Sequence, residues 1–90
     1  MNSRTIRQFW ALYRALPREA QKEADKAFEL FRQDPFHPSL QFKEVSRRRA
    51  VWSARVGLHW RVLGYLSASS ISWFWIGSHA EYDQLVKRLP

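Results

Sequence analysis

The sequence has no cysteine, one methionine and only three glycines among 90 residues. Without cysteine the chain has no disulfide framework and no thiolate zinc site. No cluster of His, Asp and Glu has metal-ligand spacing, no glycine-rich phosphate loop is present, and no serine stands in a nucleophile-elbow motif. The sequence therefore predicts neither a metal site nor a cofactor.

Long apolar runs are also absent. No stretch approaches the roughly 20 apolar residues that a membrane-spanning helix needs. The first residues lack the continuous apolar segment of a signal peptide. We therefore expect a soluble, cytoplasmic protein without membrane contacts, formed by a single small domain over residues 1–90.

Acidic residues are few: eight Asp and Glu oppose fifteen Lys and Arg, a formal charge of +7. Residues 1–42 carry +2 of this excess and residues 43–90 carry +5. Most of the cations are arginine, which suits bidentate phosphate contacts. A field of this kind favours nucleic acid, an acidic protein or an anionic surface as the partner. The alternative is that the charge only confers solubility.

Helical periodicity marks the first third of the chain. One apolar stripe recurs at i, i+3, i+4 and i+7, and Pro17 separates it from a second stripe. The two stripes predict an antiparallel helical hairpin; their members are Phe9, Leu12, Tyr13 and Leu16 in the first, and Ala20, Ala24, Ala27, Phe28 and Phe31 in the second.

From Leu40 the apolar period changes to two, which predicts strands. The short connections favour an antiparallel meander of three to four strands, over Leu40–Val45, Val51–Val56, Trp60–Leu66 and Ile71–Ile76. Ser78 and Glu81 form a capping-box pattern that starts a short C-terminal helix. The predicted fold is α+β, with helices covering one face of the sheet.

Strand alternation sorts the cations of the second half. Arg55 and Arg61 are predicted to project from one sheet face, where Lys43 can join them. Two arginines that flank a tight turn suit an anion; ordinary solvated strand residues are the alternative. Arg47, Arg48 and Arg49 occupy a turn, which suits phosphate contacts without base specificity, or simple solvation.

His79 is the candidate for proton transfer. At the first position of a helix, the positive end of the dipole favours a neutral imidazole, which can act as a general base. Tyr82 lies three residues later on the same helix face. It is predicted either to stack on a base or donate a proton, or to pack in the core. RNA cleavage without a metal needs such a base, an acid and cations that stabilise the charged phosphorane.

Arginines around a glycine turn, Arg55-Val56-Gly57 and Trp60-Arg61, followed by Ile76-Gly77-Ser78-His79, resemble the RelE/ParE superfamily of bacterial type II toxin–antitoxin toxins. The resemblance covers nearly the whole chain, and its other matching segments are residues 34–43 and 73–83. It implies a helical hairpin against an antiparallel sheet, with an opening strand that is short or missing here. It also implies an acidic antitoxin that covers the basic surface.

Two activities follow from this resemblance. RelE-like members cut mRNA in the ribosomal A site, so the chain would be a metal-independent endoribonuclease. Arg55 and Arg61 match phosphate-contacting positions, Lys43 a basic strand position, and His79 and Tyr82 the catalytic C-terminal region. ParE-like members instead poison DNA gyrase and need no nuclease site. A third reading is a degenerate binding module without toxicity.

Overall fold

Five strands and three α-helices make up the computed structural model, which describes residues 1–90. A single 3₁₀ turn at Pro38–Leu40 leads from the helices into the sheet. In chain order the elements are β1 (Asn2–Thr5), α1 (Arg7–Arg14), α2 (Arg18–Gln33), β2 (Lys43–Ser46), β3 (Val51–Val56), β4 (Trp60–Ser67), β5 (Ser70–Ser78) and α3 (His79–Lys87).

The strands form one mixed sheet in the order β1-β5-β4-β3-β2. Strands β2 to β5 form the predicted antiparallel meander, but β2 begins at Lys43 and not at Leu40, because Leu40 belongs to the 3₁₀ turn. The prediction of three to four strands, all antiparallel, is wrong, because β1 adds a fifth strand parallel to β5. The segment Asn2–Thr5 is short and polar and carries no periodic signal. Its pairing depends on β5, and Trp73 Nε1 donates a hydrogen bond to Ser3 Oγ at 2.9 Å.

The helical hairpin of α1 and α2 packs on one face of the sheet, here called the hairpin face. Tyr13 Oη donates to Asp25 Oδ1 at 2.7 Å and so ties the two helices together. This hydrogen bond to a carboxylate raises the pKa of Tyr13. The principal core lies beneath the hairpin and includes Phe9, Ala24, Phe31, Leu40, Ala54, Val56, Val62, Ile71, Trp73 and Ile76.

The C-terminal helix lies on the other side of the sheet, so the expectation that helices cover only one face is wrong. A second, smaller core forms there around Val51, Leu63 and Tyr82. The sheet surface on this side is here called the α3 face. Helix α3 follows β5 without a linker, and its apolar residues Leu85 and Val86 pack against this cluster.

An irregularity in the β4–β5 pairing changes which side chains reach the α3 face. Leu63 pairs with Trp75 and Gly64 pairs with Trp73, which leaves Phe74 as an extra residue. Phe74 and Trp75 therefore both pack on the α3 side, whereas Trp73 belongs to the hairpin core. No helix of the structure has both the length and the apolar character to cross a membrane.

We predict that Gly64→Ala destabilises the fold. An added Cβ would lie 2.8 Å from both Ile71 Cγ1 and Trp73 Cε3, in the packed core. Overpacking of this kind costs about 1–3 kcal/mol of unfolding free energy, measurable by urea denaturation. Ser67→Ala, at the exposed end of the same strand, is the matched control and should change stability by less than about 0.5 kcal/mol. Equal stability of the two variants would contradict this close packing.

Candidate functional site

Arg55 and Arg61 lie directly opposite each other across β3 and β4. Their Cα atoms are about 4.5–5.5 Å apart at such a position. Gly57, at φ +60°, allows the tight turn that brings the strands together. The alternation is as predicted, and both arginines belong to the α3 face. They are here called the arginine pair.

Neither member of the arginine pair has a carboxylate within ion-pair distance. Arg55 Nε donates to the carbonyl oxygen of Gly57 at 2.9 Å, and Arg61 Nη1 donates to that of Trp60 at 3.1 Å. Each guanidinium has five N–H groups, so most of these donors remain available. Partial burial, and then the charge of Arg55, lower the pKa of Arg61. Like charges at opposed strand positions are destabilising, and an anionic ligand would relieve the cost.

The ring of Tyr82 packs against the guanidinium group of Arg61. The Arg61 guanidinium carbon is 5.8 Å from the centre of the Tyr82 ring, a cation–π distance. The Tyr82 hydroxyl lies 3.0 Å from Ser53 Oγ inside the protein, and the residue is only 7% exposed. Of the two predicted roles for Tyr82, its burial agrees with packing and leaves little ring area for a base.

His79 begins α3 beside the same ring, with 6.0 Å between the imidazole and Tyr82 ring centres. Its backbone N–H donates to His59 O at 2.9 Å, which ties the helix start to the β3–β4 turn. Its side chain is about half exposed, and Nδ1 lies 3.1 Å from Asp83 Oδ2. A proton on Nδ1 bonded to this carboxylate leaves Nε2 as a free acceptor.

The predicted capping box orients this helix start. Ser78 N donates to Glu81 Oε1 at 3.0 Å, and Glu81 N donates to Ser78 Oγ at 3.1 Å. Hydrogen bonds from the Ser78 backbone and hydroxyl lower the pKa of Glu81. Glu81 is therefore ionised at neutral pH and remains in the cap, and the only other carboxylate of α3, Asp83, faces His79.

The remaining predicted cations are divided between two places. Lys43 pairs with Ser53 across β2 and β3, so its Cα lies diagonally about 7–8 Å from Arg55 on the same face. The exposed arginines Arg47, Arg48 and Arg49, here called the basic turn, precede the other end of β3. Four residues of strand, about 13 Å, separate Val51 at that end from Arg55.

Two polar residues of the site were not anticipated from the sequence. Asp83 stands four residues after His79 on the helix, a spacing that could have indicated the contact. Ser53 holds the Tyr82 hydroxyl across 29 residues of chain, and no local pattern marks that pairing. The other two histidines lie elsewhere: His37 caps the 3₁₀ turn through Nδ1, and His59 is exposed in the β3–β4 turn.

The sequence matches a known protein family over most of its length. The family model of the ParE-like toxin domain matches residues 18–84, most of the chain. The chain belongs to this family. The resemblance to RelE/ParE superfamily toxins is thereby confirmed, and membership in a toxin–antitoxin family implies an antitoxin as partner.

Solved structures share the fold of this toxin at low sequence identity. YafQ from E. coli strain BL21(DE3) has a TM-score of 0.65 and 16% identity, covering 90% of this chain and 96% of its own. A YoeB/ParE toxin from Agrobacterium tumefaciens has a TM-score of 0.65 and 14% identity, covering 88% and 99%. An L66S mutant toxin from Helicobacter pylori has 0.59 and 11%, covering 90% and 97%. No curated protein sequence matches the chain.

Tyr82 makes two contacts, its hydroxyl with Ser53 and its ring with Arg61. We predict that Tyr82→Phe and Tyr82→Leu distinguish their contributions to stability. Tyr82→Phe keeps the surface under Arg61 but leaves Ser53 Oγ without its buried partner, which costs about 1 kcal/mol of unfolding free energy. Tyr82→Leu also removes the aromatic ring and should cost about 2 kcal/mol or more. Urea unfolding measures both changes. Equal stability of wild type and Tyr82→Phe would contradict the buried hydrogen bond.

Proposed function

We propose that this toxin is a ribosome-dependent mRNA endonuclease that cuts RNA without a metal ion. The observation that carries the proposal is the arginine pair, opposed across two strands, without a direct ion pair and near His79. Asp83 only partly offsets the repulsion between the two arginines, and a bound phosphate would offset it further.

The chemistry assigned to this site is attack by the 2′-oxygen on the neighbouring phosphorus. Nε2 of His79 removes the 2′ proton as the new O–P bond forms. Arg55 and Arg61 stabilise the charge that develops on the phosphorane oxygens. The bond from phosphorus to the 5′ oxygen then breaks, and the leaving oxygen takes a proton from solvent. The products are a 2′,3′-cyclic phosphate and a 5′-hydroxyl.

Dependence on the ribosome follows from what the site offers. Cleavage requires the 2′-oxygen, the phosphorus and the leaving oxygen to be in line. The arginine pair would hold the phosphate, whereas neither arginine fixes the 2′-oxygen or the leaving oxygen. We assign that constraint to the ribosome. Within the protein, Tyr82 and Asp83 act as positioning residues for Arg61 and His79, and Lys43 contacts a neighbouring phosphate.

A second candidate function is inhibition of DNA gyrase without nuclease activity. The match to a ParE-like toxin domain favours it. The same α3 face would then dock on a protein–DNA complex through its cations, and His79 would have no proton to transfer. Growth that stays normal when the toxin is expressed without its antitoxin would point instead to a binding module.

We predict that the toxin, added to a translation extract, generates new mRNA ends within ribosome-protected codons. Replacing both arginines by Gln removes the two positive charges and should lower the cleavage rate by about 100-fold or more. His79→Ala should lower it by about 100-fold or more through loss of the base. Asp83→Asn should give a smaller loss, because the Nδ1 proton then has a weaker partner. Mapping of mRNA ends over time measures each rate.

Arg14→Gln is the matched control for charge. Arg14 is exposed at the end of α1, on the hairpin side, so the substitution removes one cation without touching the site. It should leave cleavage unchanged. Intact mRNA at toxin concentrations that stop growth would refute the nuclease. Inhibition of purified gyrase in a supercoiling assay under the same conditions would then support the second function.

A further inference from the structure

Tyr65 and Phe74 form a stacked aromatic pair on the α3 face, well away from the arginine pair. Their ring centres are 4.3 Å apart and the ring planes differ by 21°. Phe74 packs against the smaller core, whereas Tyr65 remains 46% exposed. Phe74 covers one face of the Tyr65 ring, and the exposed area lies on the rest of the ring.

The strand irregularity creates this arrangement. Phe74 is the extra residue between the Leu63–Trp75 and Gly64–Trp73 pairings, and it packs on the α3 face instead of in the hairpin core. Tyr65 pairs with Ser72 in β5 and with Val51 in β3. The exposure of Tyr65 shows that α3 leaves its ring uncovered.

Cations surround this end of the sheet. The basic turn joins β2 to β3 here, since Leu66 N, next to Tyr65, donates to Ala50 O at 2.9 Å. The C-terminus reaches the same turn, because Ser46 Oγ donates to Pro90 O at 3.0 Å and Arg49 N donates to Ser46 Oγ. On the other side, Arg4 pairs with Ser72, the neighbour of Tyr65.

The acidic side chains lie away from Tyr65. Five of the eight carboxylates belong to α2 or the residue after it, on the hairpin side. Glu44 pairs with Trp52, which packs against the hairpin core. The remaining two are engaged at the start of α3, in the cap and with His79.

We propose that the exposed face of Tyr65 is a stacking platform for an unpaired base of single-stranded RNA. The platform lies four residues along β4 from Arg61, about 13 Å. It deepens, and rests on, the proposed function, because the same strand would run from the arginine pair across the α3 face to Tyr65. Aromatic side chains on a sheet surface, combined with a positively charged track, are the means by which proteins hold single-stranded nucleic acid.

Both the size and the charge of the surface favour RNA over a protein partner. A single exposed ring backed by a second ring offers one flat contact, which suits a base but is small for a protein interface. The cations around it match phosphates on either side of a stacked base. Stacking tolerates any base, so the platform would position mRNA without selecting its sequence.

Binding of a 2′-O-methyl hexanucleotide to the purified chain, followed by fluorescence anisotropy, tests the platform. This RNA resists cleavage because its 2′-oxygen carries no proton. Wild type should bind the same hexanucleotide with all its bases removed about fivefold or more weakly than the intact RNA. Tyr65→Leu should weaken binding of the intact RNA by about fivefold or more and abolish the abasic effect. Tyr65→Phe keeps the ring and should bind as wild type.

The salt dependence separates stacking from charge. Tyr65→Leu should leave the slope of log affinity against log salt unchanged, because no cation is removed. Phe36→Leu is the matched control: Phe36 is 64% exposed and packs on Phe42 at the hairpin core, so its loss should not affect RNA binding. Should Tyr65→Leu fail to fold, the comparison of intact and abasic RNA on the wild-type protein still tests the platform.

Three results would overturn the platform: no binding at low salt, equal affinity for the intact and the abasic RNA, or wild-type affinity of folded Tyr65→Leu. The proposed nuclease activity can be refuted independently of the platform. If loss of bases weakens RNA binding but mRNA on the ribosome stays uncut, the nuclease is refuted and the platform stands. Ribosomal cleavage with abasic-insensitive binding would refute the platform alone.

Discussion

The burial of Tyr82 is the contact on which the arrangement of the candidate site depends. Its hydroxyl lies 3.0 Å from Ser53 Oγ in β3, and its ring lies beneath Arg61 and beside His79. Helix α3 follows β5 without a linker, so this anchor determines where the helix crosses the sheet. The position of His79 relative to the arginines follows from that crossing, and the site is therefore a consequence of core packing.

The two faces of the sheet divide stability and charge between them. Beneath the hairpin, Phe9, Phe31 and Trp73 build a core rich in aromatic contacts, and most carboxylates lie on that side. The α3 face keeps a smaller core and leaves Arg55 and Arg61 opposed without a direct ion pair. Burial of large apolar area on one side can offset a like-charge cost on the other, where a phosphate would bind.

Local patterns in the sequence predicted those parts of the structure that depend on local physics. The helical stripes, the meander, the capping box and the shared face of Arg55 and Arg61 all follow from periodicities of 3.6 and 2. The sequence left open whether an opening strand forms, because the parallel pairing of β1 with β5 joins residues far apart in the chain. The side on which α3 packs depends likewise on the pairing of Tyr82 with Ser53, and the place of Phe74 depends on an irregular register.

In the proposed function, Arg55 and Arg61 bind one RNA phosphate together beside His79. Nuclear magnetic resonance of ¹⁵N-labelled toxin, titrated with a 2′-O-methyl RNA, tests it most directly through the arginine Nε–H and imidazole signals. We expect the Nε–H signals of both arginines and the ring signals of His79 to shift together as RNA is added, with the same apparent dissociation constant. Saturable RNA binding that leaves these three residues unshifted would contradict it.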